Sequence, residues 1–377
     1  MDYNATTPVD PRVVEVMLPY FSEKFGNAAS RTHSFGWIAD EAVKEARENV
    51  SKLIGASAQE IVFTSGSTEA INMAIKGVFA SYIHKGKHII TAATEHEAVL
   101  DTCKQLKKKG AEITVLPVDR DGLISPELLK KTIREDTILV CIMYGNNETG
   151  TIHPIEELGK ISHEANTLFM TDATQAAGKT RIDVHENHID LLCLSSHKLY
   201  GPKGCGAIYI RKQNPRVKLI PLIDGGSHEN GMRAGTLNVP GIVGFGKACE
   251  IAFVEMWNDA ARISRLRTIL EQGIIEASNI YINGSIRNRL PNVSNLSIQG
   301  IDSAALIPLI KEVAVSTGSA CTSDSMAGSH VLSAMNVSEE LIRGSLRFSL
   351  GKYTTEEEVL YVVELVKRGI HKLRIET

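Results

Sequence analysis

Long apolar runs are missing from this 377-residue chain. No stretch reaches the roughly 18 residues that a membrane-spanning helix needs. Neither sign of charge dominates. With 41 Lys and Arg against 44 Asp and Glu, the formal net charge is -3. Nothing in that balance draws the surface toward nucleic acid or an anionic membrane. The opening "MDYNATTPVD" has no basic region and no apolar segment, which argues against a secretory signal peptide and for the cytoplasm. None of the six cysteines falls in a CxxC pair, so metal spacing is absent. In a chain this long without a secretion signal, they are expected to be reduced thiols. Internal repeats, low-complexity tracts and disordered linkers are missing as well.

What remains is an ordinary globular composition, 43% hydrophobic and 23% charged. The length suits two domains or one large one, with ample chain to bury a core. Short apolar runs alternate with helical spacing. "EIVFTS", "HIITAA", "EITVLPV", "TILVCIMYG", "TLFMTDA", "IDLLCLSS" and "CGAIYIR" read as strands. "STEAINMAIKGVFASYI", "EAVLDTCKQLKKKG", "SPELLKKTI" and "PIEELGKISHEAN" read as helices, with Ser125 and Pro126 as a start signal. Strands without polar alternation, joined by helices, predict an α/β fold with a mainly parallel sheet covered on both faces. From about residue 258 a long amphipathic helix and short strands predict a smaller α+β domain. The expected division is 12–257 for the large domain, and 258–377 with 1–11 for the small one.

The polar clusters "TSGSTE", "TEHE", "NNETG", "TDATQ" and "SSHK" each follow an apolar run directly. In parallel sheets ligands bind beyond the C-terminal strand ends, so the five clusters are expected to form one site. Lys198 at such an end, partly desolvated, could form a Schiff base with an aldehyde; a surface lysine is the plain alternative. Asp172 ends a buried strand and needs a cationic partner, such as a protonated pyridine, unless it merely caps a helix. "SGSTE" offers hydroxyls and N–H groups at a helix start, a phosphate cradle or a simple cap at Ser67. Ser195 and His197 could add donors there. His96 could stack on a flat ring or shuttle a proton, or be structural. Arg347 could grip a carboxylate in bidentate fashion, or sit in a salt bridge. Cys321, in the Ser- and Gly-rich "VSTGSACTSDSMAGSH", is expected on a mobile loop as an accessible nucleophile, or as an incidental thiol. Cys103, Cys141, Cys193 and Cys249 read as small core residues, and Cys205 in its glycine-rich turn stays open.

The ordered set "DYNATTP", "FGNAASRTHSFG", "EIVFTSGSTEAINMAIKG", "TEHEAVLDTC", "NNETGTI", "TDATQAAGK", "SSHKLYGPKGCGAIY", "GMRAGTLNVPG", "STGSACTSDS" and "LRFSLGKYTTEEEV" spans nearly the whole chain. It resembles the cysteine desulfurases, pyridoxal-phosphate enzymes of the class V aminotransferase group with the type I fold. Among them it is most similar to the housekeeping type that serves iron–sulfur cluster assembly.

The resemblance implies that Lys198 holds pyridoxal 5'-phosphate covalently, that Asp172 pairs with its pyridinium and that Gln175 bonds its ring hydroxyl. Ser67, Thr68, Ser195 and His197 would hold the phosphate, with Thr236 reaching it from the second subunit of a homodimer. His96 would stack on the ring and help move protons. Asn147 and Arg347 would bind the carboxylate of L-cysteine. Cys321 would take the sulfur as a persulfide, leaving L-alanine, and pass it to a cluster scaffold or tRNA-thiolation enzyme. A selenocysteine lyase, an aminotransferase, or a non-catalytic sulfur-relay platform are the alternatives. The chain departs from the family pattern at Ala28, at Ser227 and Asn230 in "GGSHENG", and at "MAGS" from Met326 to Ser329. It also ends at Thr377 without the tail that housekeeping members use for scaffold docking, so scaffold delivery is expected less firmly than desulfuration.

Overall fold

The structure, a computed structural model, describes residues 1–317 and 328–376. Seven strands, β1 (Ile61–Thr64), β2 (His88–Ala92), β3 (Glu112–Leu116), β4 (Thr137–Cys141), β5 (Leu168–Asp172), β6 (Leu191–Ser195) and β7 (Gly206–Ile210), form one sheet. Their order is β1-β7-β6-β5-β4-β2-β3. The β2–β3, β2–β4, β4–β5 and β5–β6 pairs are parallel. Only β7 runs against its neighbours. Because β7 opposes both β1 and β6, those two point the same way. The C-terminal ends of β1, β2, β4, β5 and β6 therefore share one edge, as the polar clusters require.

The lack of alternation in these strands has a direct cause. Leu139, Leu191 and Cys193 pack into one apolar cluster, while Val140, Leu192 and Leu194 pack into another. Successive side chains point to opposite faces, and both faces are covered. A third cluster, which includes Leu296, Phe348 and Val362, belongs to a second sheet. That sheet is antiparallel, in the order β10-β9-β8, with β8 (Ile280–Asn283), β9 (Val293–Ile298) and β10 (Ser345–Ser349).

The helix expected at 259–278 is the second half of a longer one, Val239–Ile275, which runs straight through residue 258. Its first half was hidden in the sequence because "GIVGFGKAC" is glycine-rich and buried rather than amphipathic. Packing explains the glycines. A Cβ on Gly246 would come within 2.4 Å of Ala46 Cα, so glycine lets this helix lie directly against Ser34–Leu53.

Candidate active site

The helix Ser67–Tyr82 begins just beyond β1, with Gly66 at its N-cap and no side chain capping it. Its first N–H groups and the helix dipole favour an anion there. A Cβ on Gly66 would meet only Ser195 Oγ, at 3.9 Å, so the glycine leaves an open cradle between the helix start and the end of β6. By contrast, a Cβ on Gly206 would lie 2.6 Å from Gly66 Cα, and only glycine lets β7 pass so close beneath that cradle. Ser67 and Thr68 open the helix, and buried Ser195 ends β6. His197 Nδ1 lies 3.0 Å from Thr6 Oγ1. Burial, with the charges of Lys198 and Lys203, pulls its pKa down to about 4. The ring is thus neutral near pH 7 and serves an anion by hydrogen bonding rather than by charge.

Lys198 closes the short turn Ser196–Lys198 after β6 and is half-buried. Its Nζ donates to the carbonyl of Asn4 and to that of Ala5, the latter at 2.8 Å. Asp172 ends β5, buried, with Oδ1 accepting from Thr174 N at 2.9 Å and Thr174 Oγ1 at 2.5 Å. Gln175 Nε2 donates to Asn4 O at 3.1 Å, so Gln175 and Lys198 meet on one carbonyl. His96 caps the helix Glu97–Lys107, its Nδ1 accepting from Ala98 N at 3.1 Å. That bond leaves Nε2 as the protonated nitrogen of the neutral ring. The capping role and a site role are therefore compatible.

Arg347 sits on β10, nearly buried. Its Nη2 bonds Asp2 Oδ1 at 2.8 Å and Ser316 Oγ at 3.1 Å, and its Nη1 bonds Asn147 O at 3.2 Å. Its Nε has no partner among the described residues. The salt bridge weighed for Arg347 is thus present, and the same side chain keeps a donor and stands against Asn147. Thr236 is exposed in the turn before the Val239–Ile275 helix, and no hydrogen bond among the described residues ties it to these strand ends. Cys321 and Met326 lie outside the described residues.

Sequence reasoning assigned no role to the segment at 2–7, yet it stitches the site together. Asp2 meets Arg347, the Asn4 side chain donates to Asn147 O at 3.0 Å, and Thr6 meets His197. "DYNATTP" gave no sign of this, because its side chains and the carbonyls of Asn4 and Ala5 act through partners far away in the chain. Two carboxylates were missed as well. Glu95 is fully buried, accepts from Met143 N at 2.6 Å, and has an Oε2 without a partner among the described residues. Burial raises its pKa far above the carboxylate range. Glu148 is pushed up to about 7 by burial, against the opposing effect of the Ser329 hydroxyl at 2.5 Å. The signal for both was a Glu placed directly beside a candidate residue, His96 or Asn147.

The altered "GGSHENG" stretch is structural in part. Glu229 is buried and takes a two-pronged bond from Arg47, at 2.7 and 2.6 Å, and one from Phe63 N at 2.7 Å. Asn230 sits at φ 55, a left-handed position that asparagine adopts readily. Replacing Glu229 with alanine strands a guanidinium and a buried N–H. A loss of about 3 kcal/mol is expected by urea unfolding. A loss below about 1 kcal/mol would mean that the pair is not integral to the fold.

The donor set fits a flat phosphorylated cofactor. It combines an uncapped helix start with hydroxyls, a buried carboxylate, an amide and an amine at one sheet edge. Comparison with known proteins agrees. A model of the aminotransferase class-V family matches residues 1–362. A cysteine desulfurase IscS of Anaeromyxobacter sp. (strain Fw109-5) is 55% identical over 375 residues, covering 99% of this chain and 93% of that protein. Among solved structures, a NifS-like protein superposes with a TM-score of 0.92 at 40% identity, over 98% of both chains. SspA in complex with cysteine gives 0.83 at 38% identity, over 94% of this chain and 99% of that one.

Proposed function

Because the chain belongs to the aminotransferase class-V family, we propose that it is a cysteine desulfurase, a pyridoxal 5'-phosphate enzyme that converts L-cysteine to L-alanine. The observation that carries the reading is the place of Lys198 Nζ, at the shared strand edge and on the same carbonyl as Gln175. The cofactor, when bound, supplies an electron sink that loosens first the Cα proton and then the Sγ–Cβ bond.

The residues divide the remaining work. Ser67, Thr68, Ser195 and His197 would hold the phosphate, joined by Thr236 of a second copy in a homodimer. Asp172 would hold the ring nitrogen in its protonated state, and Gln175 would bond the ring hydroxyl. Lys198 anchors the cofactor, then its amine takes the Cα proton. His96 would stack on the ring, with Nε2 as the nitrogen that helps move protons. Arg347 and Asn147 fix the substrate carboxylate, with Asp2 keeping the guanidinium in place. The Cys321 thiolate attacks the substrate sulfur. The Sγ–Cβ bond breaks with its electron pair going to carbon, Cβ takes a proton, and Cys321 keeps the sulfur as a persulfide. No outside oxidant or reductant is needed for that step.

The sulfur then passes to an acceptor protein of iron–sulfur cluster assembly or tRNA thiolation. The reaction belongs in the cytoplasm, where thiols stay reduced; among the described residues no helix is long and apolar enough to cross a membrane. Residues 12–257 are assigned to a cofactor-binding domain, and 258–377 with 1–11 to a smaller one that carries Cys321. The test is product balance. With L-cysteine and excess dithiothreitol, alanine and sulfide are expected in equal amounts. Pyruvate and ammonia in place of alanine, or a keto acid without sulfide, would overturn the reading.

A further inference from the structure

Lys179 has no part in that scheme, yet it lies four residues beyond Gln175. The turn that brings it back depends on Gly178, at φ 70, where a Cβ would come within 2.6 Å of Leu199 Cδ2. Lys179 Nζ donates to Gln175 O at 3.0 Å and to Gln175 Oε1 at 3.1 Å. On the other side of the same amide, Gln175 Nε2 donates to Asn4 O, which also receives Lys198 Nζ.

An amide can turn over and exchange its oxygen for its nitrogen. Lys179 Nζ donates here to the Gln175 carbonyl and to Oε1 together, and only one of the two orientations places the amide oxygen where it can accept. We propose that Lys179 is a positioning residue: it fixes the oxygen of the Gln175 amide away from the site, so that Gln175 acts toward the cofactor as a donor alone. The inference rests on the cofactor reading above and names how one of its residues is set. A donor to the ring oxygen stabilises that oxygen as an anion and weakens its hold on the proton of the neighbouring lysine linkage. The linkage then loses its proton at lower pH.

Other groups around Lys179 are accounted for. Burial and the charge of Lys198 bring its own pKa down to about 7. Lys198, Asp10, Tyr200, Asp259 and Lys352 line the small cavity behind it, about 30 Å³. Asp10 there is already bonded to Arg12, at 2.8 Å, and Lys352 to Glu255. Asp259, raised by burial, is the remaining carboxylate.

The experiment follows the visible spectrum of protein reconstituted with pyridoxal phosphate across pH. It records the pH at which the yellow band gives way to its near-ultraviolet form. Lys179→Met and Gln175→Leu are each expected to raise that midpoint by about half to one pH unit. Lys179→Gln, which offers an acceptor as well as a donor, tolerates both orientations and is expected to raise it by less. In the Gln175→Leu background, Lys179→Met is expected to add nothing. A shift that persists in that background would show charge rather than amide orientation and overturn the proposal. An unmoved midpoint in Lys179→Met overturns it too. Should Lys179→Met not fold, Lys179→Gln alone and in the Gln175→Leu background gives the same decision. A wild type that never turns yellow would sink the cofactor reading and this inference together. A yellow wild type with unshifted variants sinks this inference alone.

Discussion

Replacing Lys198 with alanine is expected to abolish turnover, by at least about 10⁴-fold, while leaving a folded protein. Two duties rest on the one amine, holding the cofactor and moving the Cα proton. Neither passes easily to another group. The nearest candidate is Lys179, whose lowered pKa makes it a plausible nucleophile on paper. Its Nζ, however, is occupied by the Gln175 carbonyl and amide, and Lys198 sits across that amide. The fold should tolerate the change. Lys198 contributes two hydrogen bonds to backbone carbonyls at a half-buried position, about 1–2 kcal/mol in all. Borohydride reduction followed by peptide mass mapping checks the assignment. Wild type should carry the reduced cofactor on the Lys198 peptide, and Lys198→Ala should carry none. Cofactor trapped on Lys179 with activity within about tenfold of wild type would mean that the amine is interchangeable.

The large sheet was legible because its strands, the edge strand β3 apart, are buried on both faces, and runs such as "TILVCIMYG" leave few alternatives. The convergence of polar clusters followed from chain direction alone. It holds because β7, the one strand that reverses, carries none of them. What stayed hidden was of two kinds. The 2–7 segment acts through carbonyls of Asn4 and Ala5, which any sequence would supply, and through side chains of Asp2, Asn4 and Thr6 whose partners lie more than 140 residues away. The first half of the Val239–Ile275 helix is buried by close glycine contacts, so it shows neither an amphipathic stripe nor good helix propensity. Glu95 and Glu148 were visible as letters, but their altered acidity comes from burial, which depends on tertiary packing.

Cys321→Ala is the sharper test of what kind of enzyme this is. The other five cysteines are buried. Burial pushes Cys205 up to about 11 and Cys103 to about 12, and raises Cys141, Cys193 and Cys249 as well. A thiol at that level is ionised to only about one part in 10⁴ at pH 7, and attack on sulfur needs the thiolate. None of the five can stand in for Cys321. The variant is therefore expected to keep the yellow colour of the cofactor, since no cofactor-binding group is touched, and to lose alanine and sulfide together by about 10³-fold or more. The two losses must match, because Cβ is protonated only after its sulfur has gone. If alanine and sulfide continue at the wild-type rate, sulfur leaves without an enzyme thiol, and a lyase that frees sulfur or selenium directly is the better account. L-selenocysteine supplied to the same variant then separates the two substrates. If, with a 2-oxo acid supplied to accept the amino group, a keto acid appears in place of alanine, the chemistry stops at nitrogen and the protein is an aminotransferase. Each outcome is decided by one side chain on a cofactor site left intact, so the result reports on sulfur transfer rather than on folding.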